Sequence, residues 1–568
     1  MMRSLLLLAL CALLTACPSH APPPQDAAKS DEIMDEPPPN GQATGPEISA
    51  EDFISHVRVL ASDEFEGRAP GTKGEELTTA YLRDQFKRLG LAPGNGDSYF
   101  QTVPMVRTTA DESVALNLRY ADGTDTLGYG EQMVVGTSSG QTEVSIADSE
   151  MVFLGYGVDA PEAEWNDYSV DVTGKTVVVL VNDPGFHAGD SELFQGQRMT
   201  YYGRWSYKFE EAARKGAAAA LVIHDDAGAG YGWEVVRNSW SGPQFDLPAE
   251  VDPAPRLPMQ GWLSGEAARQ LFARSGHDLA ALRAAANKRG FKPVPLGVTL
   301  SATLHNEVAT AESNNVLGLL RGREAPDEVV VYLGHWDHLG RNPELDGDGI
   351  YNGAIDNASG VAGILEIAEA FVTRAQAPRR SVLFMAVTLE ESGLLGSKYY
   401  VANPVFPMAK TVAAVNLDAM HMPGRTRDMV VVGLGNSELE DLLAPIAAKQ
   451  DRVLRPESAL EKGFYYRSDH FNFAKAGVPA IYAKSGNDLR EGGTVAGDLW
   501  AKDYNEVRYH RVDDEYHAGW NVSGVMEDLK ALFVLGVQLA ESDTWPNWFE
   551  GNEFRATREA SRAEASSP

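Results

Sequence analysis

The sequence predicts an α/β protein: a mostly parallel or mixed twisted sheet flanked by helices, interrupted by an inserted β-rich α/β domain. Three observations predict it. Val329–Leu333 and Ser381–Leu389 are apolar, β-branched runs of strand length, and an amphipathic helix pattern from about Gly360 to Arg374 lies between them. After Gly396, strand patterns alternate with helix patterns such as Ser437–Ala448, which argues for a parallel sheet covered on both faces. From about Thr108 to Val298 the texture changes to short strands and turns.

The chain has 568 residues, too many for one hydrophobic core, and its hydrophobic content of 43% is that of a globular protein. A formal charge of −31 argues against nucleic acid as a partner, because phosphates would meet a strongly acidic chain. Both cysteines, Cys11 and Cys17, precede residue 18, so the remainder has no disulfide, no thiolate ligand and no cysteine nucleophile.

Residues 1–16 carry one basic residue, Arg3, and an apolar run too short to cross a bilayer, which reads as a signal peptide. The run ends "LLTAC", which resembles a bacterial lipobox with Cys17 as the lipidated residue. That resemblance implies an exported cell-envelope lipoprotein, and Pro18 after the cysteine points to the outer membrane. Residues 17–47, rich in Pro, Ala and acids, cannot bury a core and read as a tether.

Residues 48–107 open the first part of the main domain. Ser49 is an N-cap, "TKGEELTTAYLRDQFKRLGL" is an amphipathic helix stopped at Gly90, and "DEFEGRAPGTKG" between them is a turn-rich loop. In the insertion, 108–298, "YKFEEAARKGAAAALVIHDD" reads as helix, glycine stop and buried strand, and "LPMQGWLSGEAARQLFARSG" is a similar unit. These segments resemble a protease-associated domain. Residues 299–548 complete the main domain, with a closing helix over Ser523–Ala540, and 549–568 form a polar tail expected to fray.

Chemistry-bearing residues fall at element ends, where open α/β sheets place their sites. His335, Asp337 and His338 end the first strand, Glu390 and Glu391 end the second, and Asp356 starts the intervening helix. With Asp418 and His510 this makes five candidate metal ligands: His335, Asp356, Glu391, Asp418 and His510. Two imidazoles and three carboxylates suit zinc and not calcium. If one carboxylate is shared, two metals can each receive three protein ligands, and Glu390 is then the candidate general base.

"GHWDH", "AIDNASG", "TLEESGLLGS", "NLDAM", "YRSDHFNFAKAGVPA" and "YHRVDDEY" resemble, in order, the motifs of the co-catalytic zinc aminopeptidases (peptidase family M28 type), a family that also includes glutamate carboxypeptidase-type enzymes and glutaminyl cyclases. The resemblance implies a zinc exopeptidase-like fold and two Zn2+ per chain. His335 and Asp418 would hold one ion, Glu391 and His510 the other, and Asp356 would bridge. It implies Glu390 as the base, Asp337 as the acid orienting the liganding imidazole, and a cis peptide bond at Asp356–Asn357. It also implies Tyr465 at the tetrahedral oxyanion and Arg467 at the substrate. His338, His421, His470 and His517 read as supporting or structural. The activity implied is that of an aminopeptidase on peptides or proteins with a free N-terminus. The alternatives are a carboxypeptidase or dipeptidase, for which Arg467 alone is thin provision, and an inert protein-binding scaffold.

Overall fold

The computed structural model describes residues 48–345 and 347–565; the leader, Cys17 and the tether lie outside the described residues. Four parallel strands form the centre of the main sheet, in the order Arg380–Val387, Ala325–His335, Thr411–Asn416 and Ala480–Ser485. All eight residues of Arg380–Val387 and all six of Thr411–Asn416 are buried, the pattern of strands covered on both faces. The flanks are antiparallel. Val294–Leu320 pairs with Arg380–Val387, Phe100–Ala110 follows it, and Pro243–Asp246 forms that edge. On the other flank Asp428–Val431 runs antiparallel to Ala480–Ser485 and carries Val453–Pro456. The sheet is therefore mixed around a parallel heart.

Helices Ala50–Leu60, Gly360–Val372 and Ser523–Glu541 bury their apolar faces in one core with this sheet. Ser49 caps the first of them by accepting from the Asp52 amide. Gly363 permits close helix packing, since a Cβ there would stand 2.8 Å from the side chains of Leu417 and Leu529.

A second sheet fills the insertion. Its order is Gly123–Gly128, Ala115–Tyr120, Val294–Leu320, Glu143–Phe153, Thr176–Leu180, Ala219–Ile223, Met259–Leu263 and Met133–Gly136. The 27-residue strand Val294–Leu320 belongs to both sheets. It pairs within the insertion up to His305 and with Phe100–Ala110 from Asn306 onward. The sequence placed a boundary at 298, inside this continuous strand. A change of partner along one strand leaves no mark in composition.

The C-terminal segment also differs from expectation. Arg555–Ala565 is a helix, Phe554 before it is buried, and the buried Arg558 donates to the carbonyls of Thr411 and Val412 at the entry to a central strand. Arg562 lies over the Trp545 ring at 3.4 Å. Arginines counted as polar in sequence spend their flat guanidinium on backbone and aromatic partners here.

Far from the strand ends, Glu366 is buried beside Asp52 and Glu369 and accepts from the Ser49 amide. Burial, opposed by that bond and reinforced by the Asp52 charge, pushes its carboxyl up to about 8. The unfolded chain releases this proton near pH 4.5 and the folded chain keeps it. Stability contributed by the protonated form is therefore lost as pH rises from about 5 to about 8, on the order of 3–5 kcal/mol. Glu366→Gln should flatten this slope. Denaturant unfolding at pH 5.5 and pH 8 checks it, and equal pH slopes for both proteins would contradict it.

Candidate metal centre

Parallel strands carry their C-terminal ends to one edge of the main sheet, and the candidate ligands collect there. His335 ends Ala325–His335, Glu390 and Glu391 follow Arg380–Val387, and Asp418 follows Thr411–Asn416. Asp356 sits in the turn that starts helix Gly360–Val372, with a cis bond to Asn357. His510 comes from the loop after a helical segment, Gly493–Arg508, that the sequence reading had not delineated.

Asp356 holds the middle. Its Oδ1 lies 3.2 Å from His335 Nε2 and its Oδ2 lies 3.2 Å from His510 Nε2. His335 Nε2 is also 3.5 Å from Asp418 Oδ1, and His510 Nε2 is 3.2 Å from Glu391 Oε2. Donor atoms of His335, Asp356 and Glu391 lie within 4.8 Å of one another, as do those of His335, Glu390 and Asp418.

This donor set fits zinc. Bonds of 2.0–2.1 Å in a tetrahedral shell place neighbouring donors about 3.3–3.4 Å apart, whereas a charged N–H···O bond is about 2.7–2.9 Å. The four separations, 3.2 to 3.5 Å, match the shell. His335 Nδ1 is 3.1 Å from the Asp337 carbonyl, which takes its proton and turns the Nε2 lone pair toward the carboxylates. Four carboxylates (Asp356, Glu390, Glu391 and Asp418) converge on two imidazoles, and burying such a set calls for cations.

Titration behaviour follows. His510 is pushed up to about 10: burial opposes this, and its bonds to Asp356 and Glu391 outweigh burial. Glu391 falls to about 2 against the cost of burial and the Asp356 charge, because His338 and His510 bond it. Glu390 goes the other way. Burial holds its carboxyl well above the usual range, the His335 charge opposes, and Glu391 and Asp418 reinforce.

Around these groups stands a frame that the sequence reading did not assign. Ser468 donates to Asp418 Oδ2 at 2.6 Å and is itself held by Asn416, while Tyr482 donates to the Asp418 carbonyl at 2.7 Å. Lys484 bonds the Ala419 carbonyl and Tyr482. The Asp514 carboxylate accepts from the amides of Ile355 and Asp356. Arg68, 1% exposed, donates to four carbonyls: Trp336, Leu60, Asn352 and Gly353. It pins the loops that carry His335 and Asp356. Tyr509 stacks on His510 at 4.0 Å. Left-handed backbone at non-glycine Leu389, Ala419 and His510 places about 1–3 kcal/mol of strain per residue beside the ligands, where functional sites tend to store it.

The remaining candidates are distributed as follows. Asp337 is fully buried, and its carboxylate oxygens accept from the amides of Glu390 and Glu391 at 3.2 and 3.4 Å. It is the Asp337 carbonyl that approaches the His335 ring closely, the carboxylate standing 3.9 Å away. Asp337 thus fixes the glutamates as well as the imidazole. His338 bonds Glu391 Oε1 at 2.7 Å, leaving Oε2 for the cluster. Tyr465 makes no side-chain hydrogen bond to a candidate ligand among the described residues. Its buried ring stands edge-on to His470 at 4.6 Å, and the charges bearing on its phenol are Glu553, Glu440 and Arg198. Tyr482 and Tyr509 are phenols beside the cluster. Arg467 is exposed, lies 5.4 Å over the Phe464 ring, and has no acidic partner among the described residues. His421 packs on Trp500 at 4.3 Å, and His517 accepts from the Gly519 amide.

Residues 315–534 match the model of peptidase family M28, and every candidate ligand lies inside that span. Over this span the chain is similar to peptidase family M28. A stretch of 137 residues is 33% identical to mouse "Aminopeptidase NAALADL1", covering 23% of this chain and 17% of the relative. A stretch of 128 residues is 39% identical to "Probable zinc metalloprotease" of Pyrenophora teres f. teres, covering 22% of this chain and 23% of the relative. The matched stretches thus span less than a quarter of either relative. Among solved structures, an aminopeptidase from Aneurinibacillus sp. strain AM-1 aligns at TM-score 0.46 and 19% identity, over 88% of this chain and 96% of that one.

Proposed function

We propose that the chain is a zinc exopeptidase holding two metals, and specifically an aminopeptidase. The observation that carries the two-metal reading is Asp356, whose two oxygens each stand 3.2 Å from a different imidazole. His335 and Asp418 complete one donor set, and His510 and Glu391 the other. Zinc held there would polarise the scissile carbonyl and acidify a water.

The chain's own groups supply the rest. Glu390 is half-buried next to the donor sets, and its carboxylate takes the proton of the attacking water. The same group returns that proton to the leaving amine. Asp337 keeps Glu390 and Glu391 in register through their amides, so that one side chain faces the substrate and the other serves as ligand. Ser468 and Tyr482 fix Asp418, and Asp514 fixes the backbone of Asp356. The aminopeptidase named among the relatives is in line with this reading.

The test is hydrolysis of aminoacyl nitroanilides against their N-acetylated counterparts, with and without chelator and added zinc. The reading expects turnover of the free-amine substrates alone, abolished by chelator and restored by zinc. Cleavage of blocked substrates would overturn the free-amine requirement, and release of C-terminal residues would replace the reading with the carboxypeptidase alternative, with Arg467 as the candidate carboxylate ligand. Zinc binding without turnover of either class would leave the scaffold reading.

A further inference from the structure

A cavity of about 660 Å3 lies between the insertion and the main domain. One wall is helix Trp205–Arg214 with the segments around Trp240 and Arg256; the other includes Lys398, Lys475 and the loop Glu391–Ser392–Gly393. Glu391 therefore belongs both to the ligand cluster and to the cavity wall.

Two features define what the cavity accepts. The first is an open strand edge. Pro243–Asp246 pairs with Phe100–Ala110 on one side only among the described residues, and all four of its residues line the cavity. An extended peptide can add to such an edge through main-chain hydrogen bonds, which read length rather than sequence. The second is charge balance. Lys398 pairs with Asp246 and Asp252 at 2.8 and 2.9 Å, and Lys475 with Glu210 at 2.7 Å. Arg256 pairs with Asp252 at 3.3 Å, and Arg214 with Glu211 at 2.6 Å. Each of these lining cations already has an acid, so none is left to receive a terminal carboxylate. Between the pairs, Trp205, Trp240 and Phe245 offer apolar surface.

We propose that this cavity is the binding site for the part of the substrate beyond the cleaved bond, and that the substrates are oligopeptides whose C-terminal carboxylate is not recognised. The inference rests on the aminopeptidase reading. An aminopeptidase holds one residue on the amino side of the bond, and everything else must extend away from the metal centre. The cavity begins at Glu391 and falls within the usual range for ligand sites of about 300–1,000 Å3, room for roughly three residues. It favours peptides longer than two residues, and it separates this chain from a dipeptidase or carboxypeptidase, either of which must hold a carboxylate.

The experiment compares kcat/KM of the zinc-loaded protein on a nitroanilide and on di-, tri- and pentapeptides with the same first residue, each with a free or amidated C-terminus. The proposal expects a rise of about tenfold or more from dipeptide to pentapeptide, with amidation changing the value less than about twofold. Ser206→Trp, which fills the cavity from helix Trp205–Arg214, and Phe245→Ala should each lower the pentapeptide-to-nitroanilide ratio about tenfold. Values that are flat or falling with length, a tenfold loss on amidation, or a ratio unmoved in both variants would overturn it. If no nitroanilide is cleaved, the aminopeptidase reading fails separately. Calorimetric binding of the pentapeptide amide then decides the cavity: binding weakened about tenfold by Ser206→Trp upholds the site, and absent or unaffected binding overturns it.

Discussion

Glu390→Gln lowers kcat/KM by about 10²–10⁴ while zinc content stays that of the wild type. The residue is adjacent in sequence to Glu391, yet the two side chains have different tasks. The Asp337 carboxylate holds both amides, and the left-handed Leu389 just before them sets the direction in which the pair emerges from its strand. Glu391 is engaged by His338 and His510. Glu390 has no hydrogen bond to an imidazole among the described residues, and burial raises its affinity for a proton. Glutamine keeps the volume and removes the proton acceptor, so binding of metal and substrate should survive while proton transfer does not. Steady-state kinetics beside metal analysis checks this. Near-normal kcat would remove Glu390 from the mechanism, and loss of zinc would make it a ligand.

Asp356→Asn has the second large effect. It keeps one acceptor oxygen and replaces the other with a donor, so the carboxylate can no longer face His335 and His510 alike. Zinc affinity should fall by at least about 100-fold, since even partners outside the coordination shell cost 10–100-fold. Activity should fall to background. Bound zinc also stabilises the fold, by about 2.7 kcal/mol at a free concentration one hundred times Kd. Melting in zinc and in chelator should therefore differ for the wild type and coincide for Asp356→Asn. A zinc-dependent shift of wild-type size in the variant would show that Asp356 does not join the two donor sets.

The strands that deliver the ligands were legible in sequence because they are buried on both faces. Val329–Leu333 and Ser381–Val387 read as uninterrupted apolar runs, and His335, Glu390 and Glu391 follow directly at their ends. The groups that hold the ligands in place were not legible. Arg68 lies in a turn-rich loop, and its four carbonyl partners sit 8 to 285 residues away, so no local pattern marks it. Asp514 and Asp513 are adjacent acids, and only the fold shows which one reaches the Asp356 amide. Tyr465 presents the converse case. Its position beside "RSDH" looks functional, yet the short helical turn Phe464–Arg467 carries its ring toward His470 and Gly433, while Tyr482 on a central strand reaches Asp418. The direction of a side chain in a turn depends on the backbone around it, which residue type does not encode.

The most direct test of the account is the number of zinc ions held per chain. Metal-free protein would be titrated with zinc, separated from unbound metal by gel filtration and analysed for metal content, with activity followed in parallel. Two ions per chain, with activity tracking their uptake, is the predicted result. A single ion at full activity, or none, would contradict a centre in which Asp356 is shared between two donor sets.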